Sequence, residues 1–366
     1  MEMNIAVIPG DGIGPEITTA AIIVLEAIAE KYGHVLNLQY VKACSQSVEE
    51  SGEPLPKEAL ETCLQADAVL LGNTGLEKYK NLPLSKRPEY ALLKLRKELK
   101  VTTNIRPVHV YPELKLLSPL NQNALSKGLD YLFVRDIAGG VLCSDQVKGE
   151  GENGPEAYEY EYYNQKIVEE TGASTAGFAF ELAKARKGKV VSLDKANVLG
   201  SSRLWRKTVT EIGKEYPEVE LTHEYIDSAA LKLIRRPWEY DVILTANLFG
   251  DIISDEGTGL TGTAGLFGSA ELSVSGKGLY TPNQLHYPDE SVIGKQKVSP
   301  IGMIMAAALM LRCSFGLEKE AKTVENAIEK VLEAKISTED MKYPGAKIVL
   351  TGEMADFCCQ FLGKDV

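Results

Sequence analysis

Short apolar runs alternate with helix-period segments along the chain, and this alternation constrains the fold more than any other feature. The first run, 4–8, precedes a stretch at 16–31 whose apolar residues recur at helical spacing. The run 68–72 precedes a second helical stretch at 90–99. Strands that alternate with helices predict an α/β fold with a partly parallel sheet.

Three further apolar runs, at 131–134, 189–193 and 242–245, each precede a loop rich in polar side chains. In α/β folds, catalytic groups often lie just past the carboxyl ends of parallel strands. The 366 residues exceed what one hydrophobic core usually holds. The length therefore predicts about two domains.

The charge balance excludes several classes of partner. The net charge of −11 disfavours nucleic acid and anionic membranes, because both are bound through clusters of Lys and Arg. The longest uncharged apolar run, 301–311, is about half the ~20 residues that a membrane span needs. The first residues lack the basic region of a signal peptide, and the six cysteines form no CxxC pair. We expect a cytoplasmic protein that binds neither nucleic acid nor membrane.

Two segments break the alternation of strands and helices. In 149–164, three tyrosines alternate with glutamates, which favours a strand with one aromatic and one acidic face. This segment is either an arm that pairs with another subunit or an exposed acidic hairpin. Residues 280–300 contain three prolines and no periodicity, which predicts a long functional loop.

The segment 9–16, PGDGIGPE, joins the first predicted strand to the first helix. It is neither GxGxxG nor a Walker motif, and Asp11 and Glu16 would repel a pyrophosphate. By itself the segment predicts a tight turn rather than a phosphate site.

Two aspartates follow the run 242–245 in the segment NLFGDIISD. A helix that starts near Gly250 would place Asp251 and Asp255 on one face. Like charges there are unfavourable unless they are neutralised, and a hard divalent cation bound by carboxylates would neutralise them. Asp227 is a candidate third ligand. A solvated helix face is the alternative interpretation.

One lysine and three arginines are candidate substrate-binding groups. Lys195 follows the run 189–193, where desolvation and a nearby cation can lower a lysine pKa enough to make it a base. Arg96, Arg106 and Arg135 lie at the ends of predicted elements and suggest a local site for a small polyanion. A surface lysine and ordinary surface ion pairs are the alternatives.

Taken together, these segments resemble the isocitrate and isopropylmalate dehydrogenase family, metal-dependent enzymes that oxidise and decarboxylate 2-hydroxy acids. The matching motifs follow the family's order over nearly the whole chain. They are PGDGIGPE, RPEYALLKLRKEL, NIRP, VRDIAGG, SLDKANVL and NLFGDIISDE. Their order makes the resemblance more specific than any single motif.

The resemblance implies an α/β fold with two domains that is not the doubly wound dinucleotide-binding fold. The first, cofactor-side domain would comprise 1–101 and 262–366. The second domain, 102–261, would bind metal and substrate and form a homodimer. An arm near 140–165 would clasp the partner subunit. The active sites would be shared, because each would take Lys195 and Asp227 from the other subunit.

The resemblance also implies a reaction that uses NAD and Mg²⁺ or Mn²⁺ on a small-molecule substrate. The implied metal ligands are Asp227, Asp251 and Asp255, and the implied carboxylate ligands are Arg96, Arg106 and Arg135. The metal would lower the pKa of the substrate hydroxyl and stabilise the enolate left by loss of CO₂. Lys195, together with Asp227, would help to remove the hydroxyl proton while NAD⁺ takes the hydride.

The remaining site residues are implied by matching positions in the family. The substrate pocket would be lined by Glu89, Leu92, Leu93, Asn197 and Val198. The cofactor would contact Ile13, Asn73, Thr74, Gln284, Asp289 and Ser299. Isocitrate-type members carry a polar residue where this chain has leucine, so the pocket favours isopropylmalate. The Asp289 carboxylate would repel the 2′-phosphate of NADP and favour NAD.

Several positions depart from the family's pattern. Leu142 stands where the family has a proton-donating tyrosine, and leucine cannot donate a proton. Cys143 and water are candidate replacements. Gln284 replaces a histidine that stacks on the cofactor, in a loop about two residues longer, and Ser299 replaces an asparagine. The segment 73–75 replaces a glycine-rich loop.

The resemblance therefore predicts oxidative decarboxylation of 3-isopropylmalate in leucine biosynthesis. Two alternatives stay open. One is the same chemistry on another 2-hydroxy dicarboxylate, malate- or tartrate-like, or on isocitrate. The other is an impaired paralogue that binds a dicarboxylate and a metal without turnover. The intact lysine, arginines and aspartates favour catalysis, whereas Leu142 and the altered cofactor loop favour the alternatives.

Overall fold

The computed structural model describes residues 1–143, 147–151, 154–158, 173–283 and 289–363. The chain forms two compact units. The first unit contains Met1–Val101, Tyr111–Pro119 and Thr261–Val366, and the second contains Thr102–Val110 and Leu120–Leu260. Each unit combines a β-sheet with packed helices, as the α/β prediction requires.

The elements are numbered in chain order. The strands are β1 (Glu2–Ile8), β2 (Val35–Tyr40), β3 (Ala68–Leu71), β4 (Val101–His109), β5 (Asp130–Asp136), β6 (Val147–Gly151), β7 (Gly154–Tyr158), β8 (Lys189–Asp194), β9 (Glu220–Tyr225), β10 (Val242–Thr245), β11 (Gly268–Ser273), β12 (Gly278–Pro282), β13 (Ile336–Ser337) and β14 (Lys347–Ile348). The helices are α1 (Gly14–Tyr32), α2 (Cys44–Ser51), α3 (Lys57–Gln65), α4 (Tyr90–Glu98), α5 (Gln122–Ser126), α6 (Ala173–Lys184), α7 (Gly200–Gly213), α8 (Ile226–Arg235), α9 (Asn247–Gly259), α10 (Ile301–Cys313), α11 (Glu318–Glu333) and α12 (Thr351–Leu362). All five predicted apolar strands are confirmed as β1, β3, β5, β8 and β10.

The first unit contains strands in the order β2-β1-β3-β12-β11. The strands β2, β1, β3 and β12 run parallel, and β11 is antiparallel to β12. The apolar run 301–311 lies in α10, whose residues Ile301–Leu311 are all buried. This run is therefore a core helix. No helix in the described part of the chain is long and apolar enough to cross a membrane.

The segment Tyr111–Pro119 belongs to the first unit, whereas the sequence assigned all of 102–261 to the second domain. The side chain of Leu114 is only 1% exposed. A Cβ atom at Gly262 would lie 2.1 Å from the carbonyl oxygen of Leu117.

The predicted long loop at 280–300 begins later than expected, because β12 extends to Pro282. Residues 284–288 lie outside the described residues. The part at 289–300 contains a single 3₁₀ turn, Glu290–Val292.

The second unit contains strands in the order β4-β5-β10-β8-β9. The strands β5, β10, β8 and β9 run parallel, and β4 is antiparallel to β5. Thr245 of β10 is level with Arg135 of β5 on one side and with Leu193 of β8 on the other. The carboxyl ends of these strands therefore meet at one edge, where the polar residues that follow them lie together.

Two apolar clusters fix this sheet between helices. One packs α6 and α7 against the sheet through Phe180 and Trp205. The other includes Leu233 of α8, Ile253 of α9 and Tyr131 of β5. Because α8 and α9 are anchored in this way, the residues in their first turns have fixed positions at the carboxyl edge.

The strands β6 and β7 pair antiparallel and overlap the first part of the tyrosine- and glutamate-rich stretch 149–164. Val147 pairs with Tyr158, and Gly151 pairs with Gly154. Residues 159–164 lie outside the described residues. That this hairpin clasps a second subunit stays a prediction.

Candidate functional site

Two aspartates and two arginines meet at the carboxyl edge of the second unit's sheet. Asp251 and Asp255 lie one turn apart on α9, which begins at Asn247, earlier than predicted. Their side chains are 49% and 76% exposed. Arg135 forms an ion pair with Asp251, and Arg106 Nη1 lies 3.0 Å from Asp255 Oδ1. The arginines therefore balance the like charges that were expected to need a cation.

Gly250 allows α9 to approach the end of β5 closely. A Cβ atom at this position would lie 2.2 Å from Thr245 Oγ1 and 2.7 Å from Arg135 Cγ. Such distances are far shorter than van der Waals contact, so a larger residue would push Asp251 away from the arginine. The glycine of the segment NLFGD is therefore a packing requirement of the site.

Neutral side chains orient both arginines. The Nε group of Arg106 donates to Asn104 Oδ1 at 2.9 Å, and its Nη1 group donates to Ser254 Oγ at 2.9 Å. The Nε and Nη2 groups of Arg135 donate to Asn247 Oδ1 at 3.1 and 2.7 Å. Sequence reasoning did not single out Asn104, Asn247 or Ser254. All three lie inside the NIRP and NLFGDIISDE motifs, which was the only indication in the sequence that they belong to the site.

Lys195 and Asp227 form a second charged group in the same unit. Lys195 follows β8 and Asp227 lies in the first turn of α8, which places Nζ 2.5 Å from Oδ1. The hydrogen bond from Lys195 is the main cause of a lowered Asp227 pKa. The two side chains are 27% and 64% exposed, so both remain accessible from solvent.

Asp227 does not join Asp251 and Asp255 within one chain. No group of three His, Cys, Asp or Glu side chains among the described residues is arranged to hold a metal ion. That Asp251 and Asp255 are metal ligands stays a prediction. The expectation that a second subunit provides Asp227 stays a prediction.

Arg96 lies on α4 in the first unit and is held differently from the other arginines. Its Nε group donates to Glu271 Oε2 at 2.8 Å, and its Nη2 group donates to Oε1 of the same carboxylate. The Glu271 side chain, on β11, is 1% exposed, and that of Arg96 is 20% exposed. Sequence reasoning missed Glu271, although an acidic residue in a fully buried strand is rare without a charged partner.

The predicted pocket residues differ in exposure. Leu92 is 5% exposed and packs inside the first unit, so it offers little surface to a substrate. Leu93 is 40% exposed and Val198 is 62% exposed, and Asn197 is also exposed. Glu89 is half-buried. That both leucines line a substrate pocket stays a prediction, and of the two Leu93 is the more exposed.

The described geometry can now be compared with known proteins. The family model described as isocitrate/isopropylmalate dehydrogenase matches residues 4–358. The chain belongs to this family. The 3-isopropylmalate dehydrogenase of Clostridium pasteurianum is 43% identical over 361 residues, which cover 99% of each chain. The 3-isopropylmalate dehydrogenase of Thermotoga maritima is 44% identical and covers 98% of this chain and 99% of its own.

A solved structure supports the same assignment. The isocitrate dehydrogenase of Methylococcus capsulatus matches with a TM-score of 0.84 at 26% identity, covering 99% of this chain and 100% of that chain. The predicted fold class is confirmed by this match. The chain is a decarboxylating dehydrogenase of hydroxy acids, as family membership requires.

The segment 9–16, PGDGIGPE, has a structural role in this chain. Asp11 is 2% exposed and accepts the backbone N–H groups of Ser45 and Gly75 at 2.8 and 2.7 Å. Burial raises the pKa of this carboxyl. A Cβ atom at Gly10 would lie 2.1 Å from the carbonyl oxygen of Asn73. The loop is therefore packed tightly against 72–75, which agrees with the tight-turn interpretation.

The predicted cofactor contacts divide into buried and exposed residues. Ile13, Asn73 and Thr74 are 4%, 4% and 0% exposed, so a cofactor would meet mainly the backbone there. Asp289 is exposed, and its Oδ1 atom accepts the N–H of Ser291 at 2.9 Å. Hydrogen bonds from Ser291, first from its side chain and then from its backbone, lower the Asp289 pKa.

Ser299 and Gln284 are the remaining predicted cofactor contacts. Ser299 is 7% exposed, and its Oγ atom accepts the N–H of Ile301 at the start of α10. Its own N–H donates to Asp340 Oδ2 at 3.0 Å. The Ser299 hydroxyl is thus already engaged at the start of α10, which limits its side chain as a cofactor ligand. Gln284 lies outside the described residues.

Leu142, at the position where the resemblance implies a proton-donating tyrosine, lies in a 3₁₀ turn, Val141–Cys143, after β5. The Leu142 side chain is 50% exposed. The Nδ2 group of Asn247 lies 2.7 Å from the Gly139 carbonyl oxygen and 3.5 Å from Cys143 Sγ. Since Asn247 also holds Arg135, the turn that carries Leu142 is tied to the arginine site.

Proposed function

We propose that the chain catalyses oxidative decarboxylation of 3-isopropylmalate to 4-methyl-2-oxopentanoate in leucine biosynthesis. The observation that carries this proposal is the grouping of Arg106, Arg135, Asp251 and Asp255 at one sheet edge. This arrangement suits a substrate that has carboxylates to bind and a hydroxyl group to deprotonate. Sequence identities of 43% and 44% to two 3-isopropylmalate dehydrogenases, over nearly the whole chain, support this choice of substrate.

The chain's own residues would bind the substrate and move its proton. Arg106 and Arg135 bind carboxylate oxygens, since both present oriented guanidinium groups, and Arg96 is the third arginine of the set. Lys195 takes the proton of the substrate hydroxyl. Asp227, with Oδ1 2.5 Å from Lys195 Nζ, fixes the position of this base.

Asp251 and Asp255 fit a hard divalent cation, Mg²⁺ or Mn²⁺. Both are carboxylates on one helix face, and both are accessible from solvent. Asp227 from a second subunit is the proposed third ligand. A bound cation supplies the charge that lowers the pKa of the substrate hydroxyl and stabilises the enolate after loss of CO₂.

NAD is the proposed hydride acceptor. An exposed carboxylate at Asp289 suits a ribose hydroxyl, which donates a hydrogen bond to it. The other proposed contacts are Ile13, Asn73, Thr74, Gln284 and Ser299. Gln284 stands where the resemblance implies a histidine, and Ser299 where it implies an asparagine. We therefore expect these two residues to contact the cofactor differently from their counterparts in the family.

We also propose a cytoplasmic homodimer formed through the second unit. Helix α8 buries Ala229 and Leu233, yet it leaves Leu231 58% and Ile234 50% exposed. A helix that is apolar on two faces favours a partner on the exposed one. A second copy is the proposed partner, because the shared site needs Lys195 and Asp227 from another chain.

The proposed function is tested by an assay of NADH formation. Purified protein with Mn²⁺ is supplied with 3-isopropylmalate, isocitrate, malate or tartrate, each with NAD⁺ or NADP⁺. We expect NADH to form with 3-isopropylmalate and NAD⁺. Faster turnover of malate or tartrate would establish the alternative dehydrogenase. Absence of turnover with all four substrates, together with substrate binding, would establish an impaired paralogue.

A first prediction concerns the pocket. Leu93→Asn should reduce the preference for 3-isopropylmalate over isocitrate by roughly 10–200-fold, because an apolar contact of this size is worth about 1–3 kcal/mol. The measurement is kcat/KM for both substrates. Leu84→Asn, at another exposed leucine of the first unit, is the control and should leave the ratio unchanged. An unchanged ratio in Leu93→Asn would remove this residue from the pocket.

A second prediction concerns cofactor choice. Asp289→Asn should reduce the preference for NAD⁺ over NADP⁺ by roughly fivefold, because it removes a solvent-exposed charge that would repel the 2′-phosphate of NADP⁺. The measurement is kcat/KM for each cofactor. Glu290→Gln removes the neighbouring charge and is the control. A wild type that prefers NADP⁺ would contradict the assignment of Asp289.

A further inference from the structure

The residue before Lys195 is a buried aspartate that is held by an arginine of α7. Asp194 is the last residue of β8. Arg206 donates to it twice, from Nε to Oδ2 at 2.7 Å and from Nη2 to Oδ1 at 2.9 Å. The backbone N–H of Ala196 also donates to Oδ1, at 2.8 Å. The carboxylate therefore fixes the backbone on both sides of Lys195, and the arginine fixes the carboxylate.

The same guanidinium group also reaches the strand that precedes Asp227. Tyr225 is the last residue of β9 and is level with Asp194 of β8. The guanidinium carbon of Arg206 lies 5.2 Å from the centre of the Tyr225 ring, which is a cation–π contact. Helix α8 begins at the next residue, Ile226, and carries Asp227 in its first turn. Arg206 thus contacts both strand ends that carry the lysine–aspartate pair.

Helix α7 also holds the backbone of the lysine directly. The Oγ atom of Ser202, a buried residue of α7, accepts the N–H of Lys195 at 3.1 Å. The Lys195 carbonyl oxygen accepts the N–H groups of Val198 and Leu199 at 3.0 and 2.9 Å. Because a lysine side chain is long and flexible, the position of its Nζ atom depends on a fixed backbone and on its partner, Asp227.

We propose that Arg206 is a positioning residue for the lysine that deprotonates the substrate. Its bidentate pair with Asp194 sets the backbone of Lys195, and its contact with Tyr225 sets the start of the helix that carries Asp227. The inference rests on the proposed role of Lys195 as the base, and it assigns Arg206 no contact with the substrate. Misplacement of a reacting group by about 1 Å can lower a rate by ~10²-fold, so such a residue affects catalysis strongly.

The test is Arg206→Gln, in which the rate constant of NADH formation in the first turnover is measured with 3-isopropylmalate, NAD⁺ and Mn²⁺. This rate constant should fall at least roughly tenfold, because the base loses its fixed position. The KM for 3-isopropylmalate should change less than about twofold, because a defect in the reacting step leaves substrate binding intact. An unchanged rate constant, or a loss expressed in KM alone, would overturn the proposal.

A double-variant cycle separates the positioning of Lys195 from general damage to the protein. Lys195→Met should leave slow formation of NADH, because a general base contributes ~10²–10⁴-fold and not the whole rate. In Lys195→Met protein, the addition of Arg206→Gln should cause no further loss, because the residue that Arg206 positions is already absent. An equal further loss would show that Arg206 acts independently of Lys195 and would overturn the proposal.

The matched control is a second pair of an arginine and a buried aspartate in the same unit. Arg186 Nε lies 2.8 Å from Asp241 Oδ1, and the side chains of Asp241 and Asp194 are each 1% exposed. Asp241 directly precedes β10, so this pair lies at the opposite, amino edge of the sheet. Arg186→Gln should lower the unfolding temperature, because it leaves an aspartate buried without its arginine, and should leave the first-turnover rate unchanged. An equal loss of rate in Arg186→Gln and Arg206→Gln would attribute the effect to stability and overturn the proposal.

Arg206→Lys keeps the proposal testable if Arg206→Gln does not fold. Lysine retains a positive charge beside the buried carboxylate of Asp194 but cannot form the bidentate pair. The first-turnover rate should therefore fall roughly three- to tenfold while KM stays unchanged. A wild-type rate in Arg206→Lys would overturn the proposal. The proposed function fails separately, when the wild type itself forms no NADH from 3-isopropylmalate.

Discussion

Asp251→Asn and Asp255→Asn should each abolish Mn²⁺ binding while the fold survives. Loss of a residue that only orients a metal ligand typically costs ~10–100-fold in affinity, so loss of a ligand should cost at least roughly 100-fold. The fold should survive because both carboxylates are at least about half exposed, and asparagine keeps an oxygen that can accept from Arg135 or Arg106. Calorimetry with Mn²⁺ measures the loss, and thermal unfolding measures the fold.

Glu256→Gln is the control for this experiment. Glu256 lies on the same helix as the two aspartates. Burial raises the pKa of its carboxyl group, so this group lies in a less solvated environment than a metal ligand that faces solvent. Removal of its charge should leave Mn²⁺ affinity unchanged. If Mn²⁺ affinity is unchanged in both aspartate variants, the metal site lies elsewhere.

The ion pairs at this edge imply that metal and substrate bind cooperatively. Without a cation, Asp251 and Asp255 compensate the same arginines that would bind substrate carboxylates. A cation that binds the aspartates competes with the arginines for them. Substrate affinity should therefore rise when Mn²⁺ is present, and by linkage Mn²⁺ affinity should rise with substrate.

The sequence predicted those parts of the fold that have a strong local period. The strands β5, β8 and β10 are short apolar runs, and the polar residues after them were expected to lie together. Parallel pairing brings Arg135 and the start of α9 to one edge, which follows from general rules of α/β sheets. The exact start of α9 was missed: the helix was expected to start near Gly250, but it starts at Asn247. The residue before Asn247 is Ala246, whose side chain cannot cap a helix.

The contacts that distinguish one arginine from another were beyond the sequence. Glu271 and Arg96 are 175 positions apart, and nothing in either segment indicates that they pair. The burial of Leu92 beside the exposed Leu93 depends on how α4 packs, which a helical period alone leaves open. Such long-range contacts depend on tertiary packing, whereas strands and helices depend on local pattern.

The structure favours a test of the missing proton donor by substitution at Leu142. This side chain is 50% exposed, so a tyrosine there does not have to fit into a packed core. The turn is anchored through Asn247 to the Gly139 carbonyl oxygen at 2.7 Å, and the same asparagine holds Arg135. A tyrosine hydroxyl on this turn would therefore extend from a fixed backbone beside the arginine site.

Leu142→Tyr should raise the steady-state rate by up to ~10²–10⁴-fold, because this is the usual contribution of a positioned general acid. In the wild type, the lysine, arginines and aspartates for the earlier steps are present, so NADH should form faster than the final product is released. Stopped-flow traces of NADH beside steady-state rates measure this difference. The burst of NADH should shrink in Leu142→Tyr as protonation becomes faster.

Leu142→Phe separates the hydroxyl group from the aromatic ring. It should leave the wild-type rate unchanged, because phenylalanine fills the same space without a proton to donate. If the wild type shows no burst and Leu142→Tyr gives no gain, another group protonates the product. Cys143 is then the first residue to test, since its Sγ atom lies 3.5 Å from the Asn247 amide that holds Arg135. A rate that falls in Cys143→Ala and not in Leu142→Phe would assign the proton to that thiol.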